Sequence, residues 1–213
     1  SGSYPLLSKD QEQGITVSPG GVVQTMSGQI FRYSSVDGEW GVALGATFLA
    51  IETSKYSNHD EFVARLADLV GSLLTVASIP VYDRIGYRYT NRLSEAADLA
   101  SLTDYFDPSV LGGLVAQNQS FSLRHSISES LFSVDDGAML LVRSAWLKNG
   151  GTVDPTLPPV EGDSWVLDLD AFDETAYVSF DTQSVSARAS QLANVAYTHF
   201  AAAIKEPFIR RFK

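Results

Sequence analysis

The sequence contains no cysteine. That removes disulfides, zinc–thiolate sites, iron–sulfur clusters and a cysteine nucleophile. A chain without disulfides fits a reducing compartment, and the cytoplasm is the expected location. No run approaches the ~20 apolar residues of a membrane-spanning helix. Neither G-x-x-x-x-G-K-[ST] nor G-x-G-x-x-G occurs, so no glycine-rich phosphate loop is available. The pairs Gly20-Gly21, Gly112-Gly113 and Gly150-Gly151 read as turns. Positive charge is scarce, with 15 Lys and Arg against 25 Asp and Glu, a net charge of -10. Nucleic-acid binders usually present a basic surface, so wholesale DNA or RNA binding is disfavoured. Anionic lipid repels an acidic protein, which disfavours a membrane-surface role.

Hydrophobic residues make up 45% of the 213 residues, enough for a sizeable core. Charged residues are only 19%, so the surface must lean on Ser, Thr, Asn and Gln. Ser1-Gly2-Ser3 reads as a cloning remnant. No internal repeat and no long linker divides the rest, so residues 4–213 are expected to form one domain.

Tyr4 to Gly21 show turn chemistry and little periodicity, and read as an irregular lead-in. A hairpin follows, with strands over Gln29–Val36 and Glu39–Leu44 joined by Asp37-Gly38. Phe48–Thr53 resumes as strand. Ser57–Ala77 has the 3.6-residue period of an amphipathic helix, opened by Asn58 three residues before Glu61. Val81–Leu93 alternates as a strand. Its one face carries Ile85, Tyr87, Tyr89, Asn91 and Leu93, and its other Arg84, Gly86, Arg88, Thr90 and Arg92. Short helical pieces fill Ser94–Val115. Two strands, Phe121–Val134 and Ala138–Leu147, should pair across Asp136-Gly137. After a Gly- and Pro-rich loop, Asn149–Pro159, comes a strand over Trp165–Phe172. A long helix begins near Asp181 or Thr182, and the tail Glu206–Lys213 should dock through Phe208, Ile209 and Phe212. Hairpins need no crossover helices. The expected class is therefore α+β: a mostly antiparallel sheet of two hairpins plus further strands, packed against an amphipathic helix and a long C-terminal helix.

Asp168 and Asp170 are the best chemical lead. Two residues apart on a strand, their carboxylates point the same way and could hold a divalent cation, with Asp173 and Glu174 as further oxygen ligands. The competing reading makes them the solvent face of an amphipathic strand, or partners for nearby arginines. Arg84, Arg88 and Arg92 form a row about 13 Å apart, from a rise of about 3.3 Å per residue. Such a row suits phosphate or carboxylate recognition. Pairing with strand acids, Asp168 and Asp170 among them, is the favoured alternative, because unpaired like charges repel in a sheet. Tyr87, Tyr89 and Asn91 could line a pocket, although such tyrosines are more often core residues. His59, His125 and His199 have no ligand partner at metal spacing. There is no G-x-S-x-G elbow to support a hydrolase triad around His125. No catalytic residue and no cofactor is assigned, a divalent metal at Asp168 and Asp170 being the sole cofactor considered.

The motifs Trp40-Gly-Val-Ala-Leu44, Phe48-Leu-Ala-Ile-Glu-Thr-Ser-Lys-Tyr56, Asp60-Glu-Phe62, Gly86-Tyr-Arg-Tyr-Thr-Asn-Arg92 and Trp165-Val-Leu-Asp-Leu-Asp170 occur in order. Together they resemble a sporadically distributed family of uncharacterised prokaryotic proteins with G-x-R-Y-x-N-R and W-x-L-D-L-D-x-F motifs. The likeness runs from Tyr4 to the Phe208-Ile-Arg-Arg-Phe212 tail. It implies no activity. It implies that members begin with a further strand and helix, so this chain is expected to be N-terminally truncated relative to them. An edge or groove left open by the missing strand would then pair with a protein partner or a second copy.

Three functions follow as expectations. The first is a non-enzymatic interaction protein of a prokaryotic multi-gene system, such as defence or toxin–antitoxin control. The second is a metal-dependent hydrolase or nuclease using Asp168 and Asp170. The third is a small-molecule sensor with a pocket between the sheet and the C-terminal helix.

Overall fold

A computed structural model describes residues 3–18, 21–116, 120, 122–154, 157–175 and 177–213. Ser1, Gly2, Pro19, Gly20, Phe121, Pro155 and Thr156, which carried parts of the remnant, turn, strand-start and loop expectations, lie outside the described residues. The α+β class is observed, with antiparallel sheets and a long C-terminal helix. The strands fall into three sheets instead of one. The chain divides into two compact units, 1–62 and 63–213.

The first unit holds a four-stranded antiparallel meander: β1 (Leu6–Ser18), β2 (Gly21–Ser34), β3 (Trp40–Leu44) and β4 (Leu49–Thr53), in that spatial order. The turn at Asp37-Gly38 forms as the dipeptide predicts, with Gly38 at φ +71°. Trp40 and Val42 are buried, and the Trp40 ring lies 5.8 Å from that of Phe62. The expected irregular lead-in is instead β1. It pairs with β2 from Leu6↔Ser34 to Ser18↔Gly21, with one register shift between Glu12 and Gln13. Its partner is the next strand in the sequence, but the residues of β1 show no period of two, so local periodicity carried no sign of it.

Helix α1 (His59–Leu74) starts in the first unit and continues into the second. Its start is capped as its sequence implies: the Glu61 backbone N–H donates to Asn58 Oδ1 at 2.9 Å. Val63 and Val70, seven residues apart on one face, are its buried side chains.

The second unit is built on a four-stranded antiparallel sheet in the order β6-β9-β8-β7. Its strands are β6 (Ile85–Leu93), β7 (Ser126–Ser133), β8 (Met139–Leu147) and β9 (Ser164–Asp173). A two-stranded ladder joins β5 (Val81–Tyr82) to β10 (Val178–Ser179). The β7–β8 hairpin turns at Asp136-Gly137, where both residues take positive φ. β7 starts later than expected. Its first residue, Ser126, lies opposite Trp146, and β8 ends one residue beyond, so nothing remains to pair with a longer strand.

The core lies on the sheet face that carries Tyr87, Leu167, Leu169 and Ala171. Helix α4 (Thr182–Ala203) packs there, against β6 and β9. Asp181 caps its start, accepting the Ser184 N–H at 2.8 Å. Its buried residues Val185, Ala189, Leu192, Ala193 and Ala196 are mostly small, which brings the helix axis close to the sheet. Arg188 ties it down, its Nη2 2.6 Å from Asp173 Oδ2.

Helices α2 (Ala96–Ala100), α3 (Leu102–Tyr105) and α5 (Glu206–Phe212) close one end. Phe106 is fully buried, with its ring 4.4 Å from Trp165 and 5.0 Å from Phe208. Buried Asp98 receives the Tyr105 hydroxyl at 3.1 Å and Arg211 Nε at 3.0 Å. The tail therefore docks through Phe208 and Phe212, whose rings meet that of Tyr105, while Ile209, also expected to dock, is 44% exposed; Arg211 supplies a further anchor. Among the described residues, no helix is long and apolar enough to cross a membrane.

Candidate functional site

The period of two along β6 and β9 puts the arginines and the aspartates on one sheet face. The antiparallel register sets Arg88 opposite Asp170 and Thr90 opposite Asp168. On the next strand, Arg143 stands opposite Asp168 and Leu141 opposite Asp170. On β7, Glu129 faces Arg143 and Leu131 faces Leu141. All four strands thus contribute to one polar seam.

Asp168 is its centre, with a side chain only 3% exposed. Arg88 grips it with two parallel bonds, Nε to Oδ1 at 2.7 Å and Nη2 to Oδ2 at 2.8 Å. This is the bidentate fork, the strongest arginine–carboxylate geometry. Thr90 Oγ1 adds a bond to Oδ1 at 3.0 Å, and Arg143 Nη1 lies 3.6 Å from Oδ2. Arg88 Nη2 also reaches Asp154 Oδ2 at 2.9 Å, in the loop that follows β8. Arg143 in turn donates to Glu129 Oε2 from Nε at 2.9 Å and Nη2 at 2.7 Å. Among these charges the Arg88 proton is held more tightly than usual, chiefly by the bond to Asp168.

Asp170 sits differently. Its contact with Arg84 Nη2 is long, at 3.4 Å. Burial raises its pKa, against the pull of Arg84 and Arg88. Arg84 also lies 3.5 Å from Glu174 and stacks over the Phe172 ring at 4.9 Å. A divalent ion at Asp168 and Asp170 would have to displace Arg88 from a desolvated fork. The described residues hold no group of three or more His, Cys, Asp or Glu side chains arranged for a metal.

Arg92 breaks the pattern of the row. Its Nη1 donates to the Pro158 carbonyl, and its Nε and Nη2 are enclosed with no hydrogen-bond partner. Burial without a carboxylate lowers its pKa. The loop above it packs Val153 and Leu157 on Ala145, Leu147 and Val166. Tyr87, Tyr89 and Asn91 occupy the opposite sheet face; Tyr87 is buried, with its ring 5.1 Å from that of Tyr89. His59 opens α1, His125 precedes β7, and His199 lies late in α4 with its ring 5.8 Å from Phe132. Burial lowers the His199 pKa.

Strand β7 is placed by the pattern of the sequence, which assigns it no functional role. It is an edge of the sheet, and Ile127, Leu131 and Phe132 on it are 50%, 57% and 46% exposed. Ile127 and Leu131 share one face, while Phe132 lies on the other, towards His199 of α4. That second face is partly covered: a 3-10 turn, Gly112–Ala116, lies against it, with the Gly113 N–H donating to Ser126 Oγ at 3.1 Å. The signal was present in Ser-Ile-Ser-Glu-Ser-Leu-Phe-Ser, where serines alternate with larger residues from 126 to 131. Which of the two faces would stay uncovered was not.

No protein-family model matches the chain, and no curated protein or solved structure shows significant similarity to it.

Proposed function

We propose that this chain is a non-enzymatic binding protein that acts by contact with another protein. The multi-gene setting implied by the resemblance, of the defence or toxin–antitoxin kind, belongs to the same proposal. The observation that carries it is β7. An edge strand offers unpaired backbone donors and acceptors, and this one adds three exposed large apolar side chains.

The acidic pair gives weaker support to a metal-dependent hydrolase. Both Asp168 oxygens are taken by Arg88, so the group best placed for chemistry is engaged in holding strands together. The face under α4 is occupied by the helix's own buried side chains, which gives no separate support to a sensor pocket there.

The test is a reconstitution. Tagged wild-type protein and Leu131→Asp are used to isolate a partner from the native cells, and the partner is then purified and remixed. A stoichiometric complex with wild type that Leu131→Asp fails to form supports the reading. Thermal stabilisation of the isolated chain by magnesium, manganese or calcium, lost in Asp168→Asn, would replace it with the metal enzyme.

A further inference from the structure

Strand β7 pairs with β8 through eight consecutive residue pairs, Ser126↔Trp146 to Ser133↔Met139, without a bulge. It contains no proline, lysine or arginine. Natural edge strands are commonly blunted by bulges, prolines and charged side chains, and of these β7 carries only the half-exposed carboxylate of Glu129. Among the described residues no strand pairs with its outer side. The other edge of the same sheet, β6, carries Arg88 and Arg92 and is thereby protected.

The side chains beside that open edge have a definite order. Ile127, Glu129 and Leu131 share one face, two residues apart, and the Glu129 side chain is 51% exposed between two exposed apolar groups. Arg143 takes up Oε2 of that carboxylate.

A second copy of the chain fits this pattern poorly. Antiparallel self-pairing that sets Ile127 on Leu131 of the copy also sets Glu129 on Glu129. Moving the register by two residues either way lays an apolar side chain against Glu129 or Ser133. Like charges directly opposite destabilise a ladder, and each chain carries a net charge of -10.

We infer that β7 accepts an extended segment of a different protein as a fifth strand, a segment with a lysine or arginine opposite Glu129 and apolar residues two positions to either side. The pattern reads the same in both directions, so it serves a parallel or an antiparallel partner. Backbone bonds along β7 hold the segment, while the alternate side chains select it. This rests on the binding-protein reading and specifies its mode.

The experiment is an NMR titration of the labelled chain with seven-residue peptides alternating threonine and valine, with lysine or glutamate at the centre. The lysine peptide should shift the amides of 126–133 and slow their exchange. The glutamate peptide should bind about five- to tenfold more weakly, from one favourable pair lost and one unfavourable pair gained. Glu129→Gln should reduce that preference to less than about twofold. Leu131→Asp should abolish binding with the rest of the spectrum unchanged. Equal affinity for the two peptides, protection elsewhere than β7, or a β7-mediated homodimer would overturn the inference. If neither peptide binds while Leu131→Asp still disrupts a reconstituted complex, the binding-protein reading survives and the added strand does not.

Discussion

Strands β6 and β7 border the same sheet and are made of different materials. Along β6, Arg88 and Arg92 point to one face, and Arg88 is locked to Asp168 and Asp154. Along β7 the corresponding face carries Ile127, Glu129 and Leu131, all exposed. One edge carries arginines, of which Arg88 is satisfied within the protein. The other stays available. Electrostatic cost accounts for the division. A desolvated carboxylate such as Asp168 needs cations on either side, and these come from β6 and β8, the strands flanking β9. β7 lies one strand further out, and its single carboxylate is half in water.

That comparison yields a ranked set of outcomes. Asp168→Ala should be the most damaging change, because it removes the bidentate partner of Arg88 and the central carboxylate of the seam, leaving Asp154 and Glu129 as the remaining partners of Arg88 and Arg143. A loss of about 3–5 kcal/mol is expected in urea unfolding. A cost below ~1 kcal/mol would mean that the seam is solvated and that the edges are less different than they look.

Asp173→Asn should cost about 1–2 kcal/mol, since it weakens the bonds to Arg188 and Thr175 that fasten α4 to the sheet. Here pH gives a second readout. Burial pushes the Asp173 pKa up, but the bonds from Thr175 and Arg188 outweigh it, and the net shift is downward from 3.8. A depressed folded pKa adds stability above the unfolded value, and that addition fades as pH falls through the folded one. The difference between wild type and Asp173→Asn should therefore be full at pH 6 and shrink steadily below pH ~4.

Arg92→Met tests whether the β6 arginines act alike. Two of the Arg92 nitrogens are desolvated without an acceptor, so an apolar replacement of similar length should be neutral or stabilise by up to about 1 kcal/mol. Arg88→Met, by contrast, should destabilise clearly. Leu131→Asp should change stability least, within ~0.5 kcal/mol, because its side chain already faces solvent. A large loss of stability there would show that β7 is structural and remove the main support for a binding edge.

Much of the fold was legible because local chemistry dictates it. Asn58 before Glu61, Asp37-Gly38, Asp136-Gly137 and Asp181 each satisfy a backbone demand within a few residues, and each does so in the structure. β1 was illegible because its ladder depends on β2 and its own residues show no period. The acids and arginines were visible as two rows on separate strands. Their union was only one alternative, since nothing in Trp165–Phe172 says that β6 will be its neighbour.

What the sequence determined by itself is most of the elements, the alternation that puts Arg88 and Arg92 on one face and Asp168 and Asp170 on one face, and the surplus of negative charge. Those follow from bond geometry and composition, which act at short range. The order β6-β9-β8-β7 was decided only by tertiary structure. That order buries Asp168 between two arginine-bearing strands and leaves β7 at the border. Strand neighbours are chosen by packing between residues that are distant in the chain. For that reason the fork at Asp168 and the open edge at β7 came into view only in three dimensions.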